Sequence, residues 1–213
     1  MVVLDLYSGL GGWSAPFLER GHEVITLDYD PKFGADICED IMTWDPASIP
    51  RPDVVLASPD CTMFSHGGWH QHAWRMVEKD VDYRPIKLKA MQATDIVRRT
   101  VDLVRMWDVP YVIENPMGLL RKLYLIPAMH QEVWYCHYGE ERAKPTDLWT
   151  NMPVRFKPVC HNQRPSHPDD CCCRDHVSAV RGSVTGTQGL SAAEAAKIPY
   201  DLALSVCLMM EGL

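Results

Sequence analysis

The chain has 213 residues, is 46% hydrophobic and 23% charged, and carries a formal net charge of −7. That balance suits one globular α/β domain over residues 1–213, and no apolar run approaches the ~20 residues of a membrane span. The opening MVVLDLYSGLGG has neither a basic n-region nor a long apolar h-region, so a cytoplasmic chain is expected. There the eight cysteines serve as reduced thiols, catalyst or metal ligands rather than a disulfide framework.

In chain order, Val2 to Leu6 reads as a buried strand, followed by a glycine turn and an amphipathic helix over Trp13 to Arg20 that stops at Gly21. Glu23 to Leu27 is a second strand ending in Asp28, a short link carries Asp40 and Ile41, and Asp53 to Ala57 is another strand. Residues 66–84 are polar and irregular, as expected of a loop over a site. Helical spacing of Ile96, Thr100, Leu103, Val104 and Trp107 predicts a helix from Leu88 to Trp107, and Val109 to Ile113 a further strand before Glu114-Asn115-Pro116. Beyond residue 125 the periodicity weakens, and only two helices are expected there, over Ser191 to Lys197 and Pro199 to Met210. Ser191 and Glu194 have capping-box spacing, and Pro199 suits a helix start.

Strand–helix alternation with short links implies a parallel sheet wound with helices. Ligands of such sheets bind beyond the carboxyl ends of the strands. Tyr7/Ser8, Pro59 to Cys61 and Glu114/Asn115 all fall at strand ends, so these clusters are expected to converge. The turn DLYSGLGGW lets the backbone approach a ligand, and Asp28, about 20 residues on, is placed to hold ribose hydroxyls. Asp40 can accept a hydrogen bond from an adenine amino group. The glycines do not follow G-x-G-x-x-G, which disfavours a nicotinamide oxidoreductase, and no phosphate-binding G-x-x-x-x-G-K-[S/T] occurs. S-adenosylmethionine has adenosine without phosphate, and its sulfonium suits an acidic half: residues 1–60 hold 11 acids and 3 bases, against 17 and 18 in the remainder. Basic clusters at Arg84/Lys87/Lys89, Arg98/Arg99, Arg121/Lys122 and Arg142/Lys144 either face a polyanion or form ordinary solvated surface.

Three segments occur in the order of one family. DLYSGLGGW resembles the first motif of DNA (cytosine-5)-methyltransferases, ASPDCTMFS their P-C-x-x-F-S loop, and IENPMG their E-N-V motif. CHYGEERAKPTDLWTN, GTQGL and IPYDL resemble segments of the short members found in phage genomes. The resemblance covers about three quarters of the chain. It implies a Rossmann-like S-adenosylmethionine-dependent methyltransferase fold, a mostly parallel sheet flanked by helices with a small Cys/His-rich insertion. It also implies DNA as partner, no membrane, and an unspecified oligomeric state. Cys61 would add to cytosine C6, Glu114 would contact N3 and the exocyclic amine, and Asn115 with Pro116 would shape the loop. The target base would flip out of the duplex. Tyr7, Ser8, Gly9, Leu10, Gly11 and Gly12 would line the cofactor, Asp28 would take the ribose, Tyr29 would stack on adenine, and Asp40 with Ile41 would hold the adenine edge.

The sequence departs from the family in places. Asp60 stands where the family has proline, and is expected to turn toward solvent or the cofactor's sulfonium. Alignment on Tyr138-Gly139 puts Lys144 and Thr146 where two arginines of the family fall, so the catalytic cation is assigned to Lys144, with Arg142 as the alternative. Residues 125–190 leave room only for a reduced target-recognition segment. Within it Cys160, Cys172, Cys173 and His176 are candidate ligands of a structural zinc ion. A transferase for another nucleic acid or nucleotide, one using a modified S-adenosylmethionine, and a degenerate nucleic-acid-binding protein are the other readings open at this point.

Overall fold

The computed structural model describes residues 1–65, 73–78, 82–140, 144–160 and 191–213. At its centre lies β1 (Val2–Leu6), whose apolar VVLDL is buried almost throughout. It pairs in parallel with β2 (Glu23–Asp28) on one side and β4 (Val54–Ala57) on the other. The two-residue β3 (Ile37–Cys38) extends the β2 edge, and β7 (Tyr111–Pro116) lies parallel to β4. Beyond β7 the direction reverses. β9 (Pro145–Thr150) runs antiparallel to β7, and β8 (His130–Trp134) antiparallel to β9. The seven-stranded order is β3-β2-β1-β4-β7-β9-β8.

Side chains alternate across a strand, so successive residues feed opposite faces. Val3, Leu56 and Val112 join Trp13 and Phe17 of the α1 (Ser14–Glu19) region and Leu202 and Val206 of the C-terminal helix (Tyr200–Glu211) in one core cluster. Leu4, Val55 and Ile113 point the other way, onto Val97, Val101 and Val104 of α2 (Leu88–Trp107). The expected Rossmann-like fold, with a mostly parallel sheet flanked by helices, is the observed one. Near the C-terminus α3 (Ala192–Ala196) opens on the expected capping box, with Glu194 N–H donating to Ser191 Oγ and Ser191 N–H to Glu194 Oε2. Tyr200–Glu211 is α4, with Pro199 as its N-cap rather than its first residue. Among the described residues no helix is long and apolar enough to cross a membrane.

Two regions differ from expectation. Residues 74–78 and 82–85 are not loop but an antiparallel ribbon, β5 (Trp74–Glu78) with β6 (Asp82–Pro85); residues 66–72 and 79–81 lie outside the described residues. Only Trp74 of β5 is buried, so the strand shows no alternation to read. Its ring lies 5.8 Å from that of Phe64, and its Nε1 donates to the Met63 carbonyl at 2.9 Å, which fastens the ribbon to the 61–65 loop. The second region is β8 with β9, hidden in the sequence by polar residues. Asp147 is fully buried in β9 because Arg121 caps it, Nε at 2.8 Å with a second short contact from NH2. A paired carboxylate can sit in a sheet interior where a lone one cannot.

Candidate active site

The strand β1 ends in a turn with a left-handed residue that is not glycine. Tyr7 has φ +62°, and both its N–H and that of Ser8 donate to the Leu27 carbonyl, at 2.8 and 3.2 Å. Tyr7 Oη is 2.7 Å from Thr100 Oγ1 on α2. The following Gly9, at φ +51°, gives its N–H to Asp28 Oδ2 at 3.0 Å, while Asp30 N–H donates to Oδ1. Each carboxylate oxygen of the buried Asp28 thus holds one backbone N–H and keeps a lone pair for a hydroxyl. Gly12 is needed for close approach: a Cβ there would stand 2.7 Å from the Ile198 nitrogen. The segment between α3 and α4 therefore rests directly on the glycine turn. Beneath it, Ser14 Oγ donates to Asp5 Oδ2 at 2.5 Å, and burial pushes the Asp5 carboxyl up to about 7.

At the end of β4 the chain makes one tight turn. Phe64 and Ser65 N–H both donate to the Cys61 carbonyl, at 3.0 and 2.8 Å. Asp60 Oδ1 accepts from Thr62 N–H at 2.9 Å and from Thr62 Oγ1 at 2.5 Å, so the acid caps the start of this turn. Asn115, wholly buried on β7, donates Nδ2 to the Pro59 carbonyl at 2.9 Å and so sets the approach to Asp60-Cys61. The far end of the turn docks on the segment after β7, where Leu119 N–H donates to the Phe64 carbonyl at 2.7 Å and Ser65 bridges to Gly118.

The Cys61 thiol faces opposing fields. Its pKa is pushed up to about 11, chiefly by burial and then by Glu114, with Lys144 pulling it down and Asp60 adding a smaller rise. Glu114 is buried at the β7 end, and burial raises its carboxyl above the ordinary range against the attraction of Lys144. Tyr135, also buried, donates its hydroxyl to Glu114 Oε1 at 3.0 Å. Lys144 Nζ lies 4.5 Å over the Tyr135 ring and donates to the Ala195 carbonyl at 3.3 Å. Glu114, the Cys61 thiol and Lys144 thus share one site, with Glu114 buried in it. The thiol can be drawn toward thiolate only where the cation outweighs the two acids.

One cleft of about 310 Å³ joins these groups. Of the expected residues, Tyr7, Ser8, Gly9, Leu10, Gly12, Asp28, Tyr29, Asp60, Cys61, Glu114 and Lys144 line it. Gly11 lies behind, its N–H on the Ser8 carbonyl, and Asn115 acts through Pro59. Asp40 and Ile41 do not line the cleft: Asp40 Oδ1 caps the Met42 N–H, and Ile41 is core. Sequence reasoning did not anticipate Tyr135, Trp13 and Ser58. Trp13 Nε1 donates to Ser58 Oγ at 3.0 Å, and Ala193, Ala196 and Lys197 of the α3 region form the opposite wall. The IPYDL segment was the one signal for that wall.

Several basic clusters are internally occupied. Arg84 pairs with Asp82 and Arg98 with Asp95, while Arg99 donates to the Ile41 and Trp44 carbonyls and Arg121 holds Asp147 and Glu132. Of the four candidate zinc ligands, Cys160 is buried among the described residues. Cys172, Cys173 and His176 lie outside them, as do Arg142 and GTQGL.

No protein-family model matches the chain, and no curated protein does. Among solved structures it is similar to a protein described as a DNA modification methyltransferase encoded within an E. coli prophage, with TM-score 0.49 and 15% identity over 70% of this chain and 46% of that one. It is also similar to the Entamoeba histolytica methyltransferase EhMeth (TM-score 0.48, 13% identity, 77% and 57% covered) and to S. pombe Dnmt2 methyltransferase (0.47, 14%, 75% and 53%). The chain spans about half the length of these structures.

Proposed function

We propose that the protein transfers a methyl group from S-adenosylmethionine to C5 of cytosine in DNA. The observation that carries this reading is that the glycine turn, Asp28, Cys61, Glu114 and Lys144, scattered over the chain, line one cleft.

The cofactor end of that cleft fits an uncharged adenosine better than a phosphate ester. Asp28 has lone pairs left for ribose hydroxyls, exposed Tyr29 offers an aromatic face, and the turn backbone is open to close approach. S-adenosylmethionine, when bound, supplies an electrophilic methyl group. The chain supplies the activation of the base. Cytosine C5 is a weak nucleophile, and addition of Cys61 Sγ to C6 converts the ring to an enamine. The thiol gives up its proton as the S–C6 bond forms, and a neutral Glu114 gives a proton to N3, so negative charge does not build up on the ring. Lys144 stabilises the thiolate, and Tyr135 holds Glu114 in register through Oε1. After C5 is alkylated, its proton passes to water and Cys61 leaves as thiolate, which restores the aromatic ring; N3 returns its proton to Glu114, and the thiolate regains from solvent the proton it gave up. C5 and C6 are stacked in a duplex, so the base must leave the stack at a cost of a few kcal/mol.

The test is incubation with S-adenosylmethionine and DNA, followed by mass spectrometry of the nucleosides. 5-Methylcytosine is the expected product. A heavier C5 substituent would point to a modified cofactor, product only with RNA or free nucleotide would move the substrate class, and DNA binding with no product would leave a non-catalytic binding protein.

A further inference from the structure

Next to Tyr135, two cysteines and a histidine come together. Cys136 and His137 lie in the 3-10 turn Tyr135–Tyr138 that follows β8, and Cys160 lies in the irregular stretch after β9. One donor atom from each lies within 4.8 Å of the others, with both cysteines buried. We propose that Cys136 Sγ, His137 and Cys160 Sγ bind a zinc ion, at a site that does not line the cleft.

Geometry and chemistry both favour a metal. Zinc bonds of about 2.3 Å to sulfur and about 2.0 Å to nitrogen place tetrahedral donors some 3.5–3.8 Å apart, so closing this trio needs movements of about 1 Å. Two thiolates balance the charge of Zn²⁺, and an imidazole completes a soft donor set that suits zinc over magnesium or calcium. Three protein donors leave one tetrahedral position for a further donor. In the segment that carries Cys160, Val154 and Phe156 pack half-buried against the core, and Cys160 itself is 3% exposed. Polar bonds tack its middle to the same turn as Cys136: Lys157 N–H donates to Tyr138 Oη at 2.9 Å, and Lys157 Nζ to the His137 carbonyl at 2.7 Å. A metal at Cys160 would add a further hold between the two.

A second trio of potential donors is His22, Cys207 and Glu211. There Glu211 is already held by Arg20, at 2.8 and 2.6 Å, and by His22 at 2.9 Å. A guanidinium on the carboxylate competes directly with a cation, so that trio is an ion-pair network. At the proposed site the metal has a functional address, because the turn it clamps begins at Tyr135, the donor to Glu114.

The experiment measures zinc by mass spectrometry in protein purified without a histidine tag. About one zinc per chain is expected, falling below about one fifth in Cys136→Ser, His137→Gln and Cys160→Ser and unchanged in His22→Gln. Should the variants fail to fold, the native chain is assayed by alkylation. Metal should shield Cys136 and Cys160 and a chelator should expose them, while exposed Cys38 reacts in both states. Cobalt substitution should add a thiolate charge-transfer band. Less than about one tenth of a zinc per chain, full zinc in Cys136→Ser, alkylation of the pair that chelation does not change, or a Cys136–Cys160 disulfide in freshly made protein would each overturn the assignment.

Discussion

Gly118→Ala isolates the positioning of Cys61 from its chemistry. The glycine sits where the turn after Cys61 docks. A Cβ there would fall inside the Phe64 carbonyl oxygen's contact radius, 3.1 Å from the Phe64 carbonyl carbon and 3.3 Å from Ser65 Cα. These are backbone atoms and cannot rotate away. Relief requires the 61–65 turn to retreat by about 1 Å, which stretches the 2.7 Å bond from Leu119 N–H to the Phe64 carbonyl. Buried Phe64, packed on Trp74, opposes that movement. Overpacking of this kind costs about 1–3 kcal/mol of stability. A 1 Å displacement of a nucleophile costs on the order of 100-fold in rate. Denaturant unfolding should therefore show a modest loss, and methyl transfer to DNA a loss of about two orders of magnitude. A Gly118→Ala protein with native rate would refute the reasoning, since the loop would then tolerate a shift that the account forbids.

Further outcomes follow from other buried groups. Asp5 has its folded carboxyl raised from 3.8 to about 7, so the folded state holds a proton that the unfolded chain has lost, and stability falls as pH rises through that window. Between pH 5 and 8 the native protein should lose about 3 kcal/mol relative to Asp5→Asn, read by urea unfolding at both values; equal slopes would contradict this. Arg121→Met strands the fully buried Asp147 and should cost about 3–5 kcal/mol, with much of it recovered in Arg121→Met/Asp147→Leu; additive losses in a double-mutant cycle would count against a coupled pair. Tyr135→Phe removes one bond to Glu114 and should slow methyl transfer by about tenfold or more while changing unfolding by about 1 kcal/mol. An unchanged rate would remove Tyr135 from the positioning of Glu114.

Much of this arrangement was legible from local pattern. The boundaries of α2 match the helical spacing, since tertiary packing follows the apolar stripe, and the three strand ends converge as the rule for parallel sheets requires. What was hidden depends on partners distant in sequence. Asp147 reads as a loop acid until Arg121 meets it, and β8, polar along most of its length, pairs only because β9 lies beside it. Tyr135 carries no local signal, because its role exists only across 21 residues, at Glu114. Asp60, out of place beside a nucleophile, is explained by two bonds to Thr62 that cap the turn. Cys136 and His137 became visible as candidate ligands only when Cys160 folded against them.

The account rests on Cys61 as the nucleophile. The direct measurement is covalent capture on DNA with 5-fluorocytosine at target positions, in the presence of S-adenosylmethionine. Fluorine cannot leave as the C5 proton does, so the elimination step is blocked. The native protein should form a stable adduct that survives denaturing electrophoresis, mapped by peptide mass spectrometry to Cys61 and absent in Cys61→Ala. No adduct on modified DNA that the protein binds, or an undiminished one in Cys61→Ala, would contradict it.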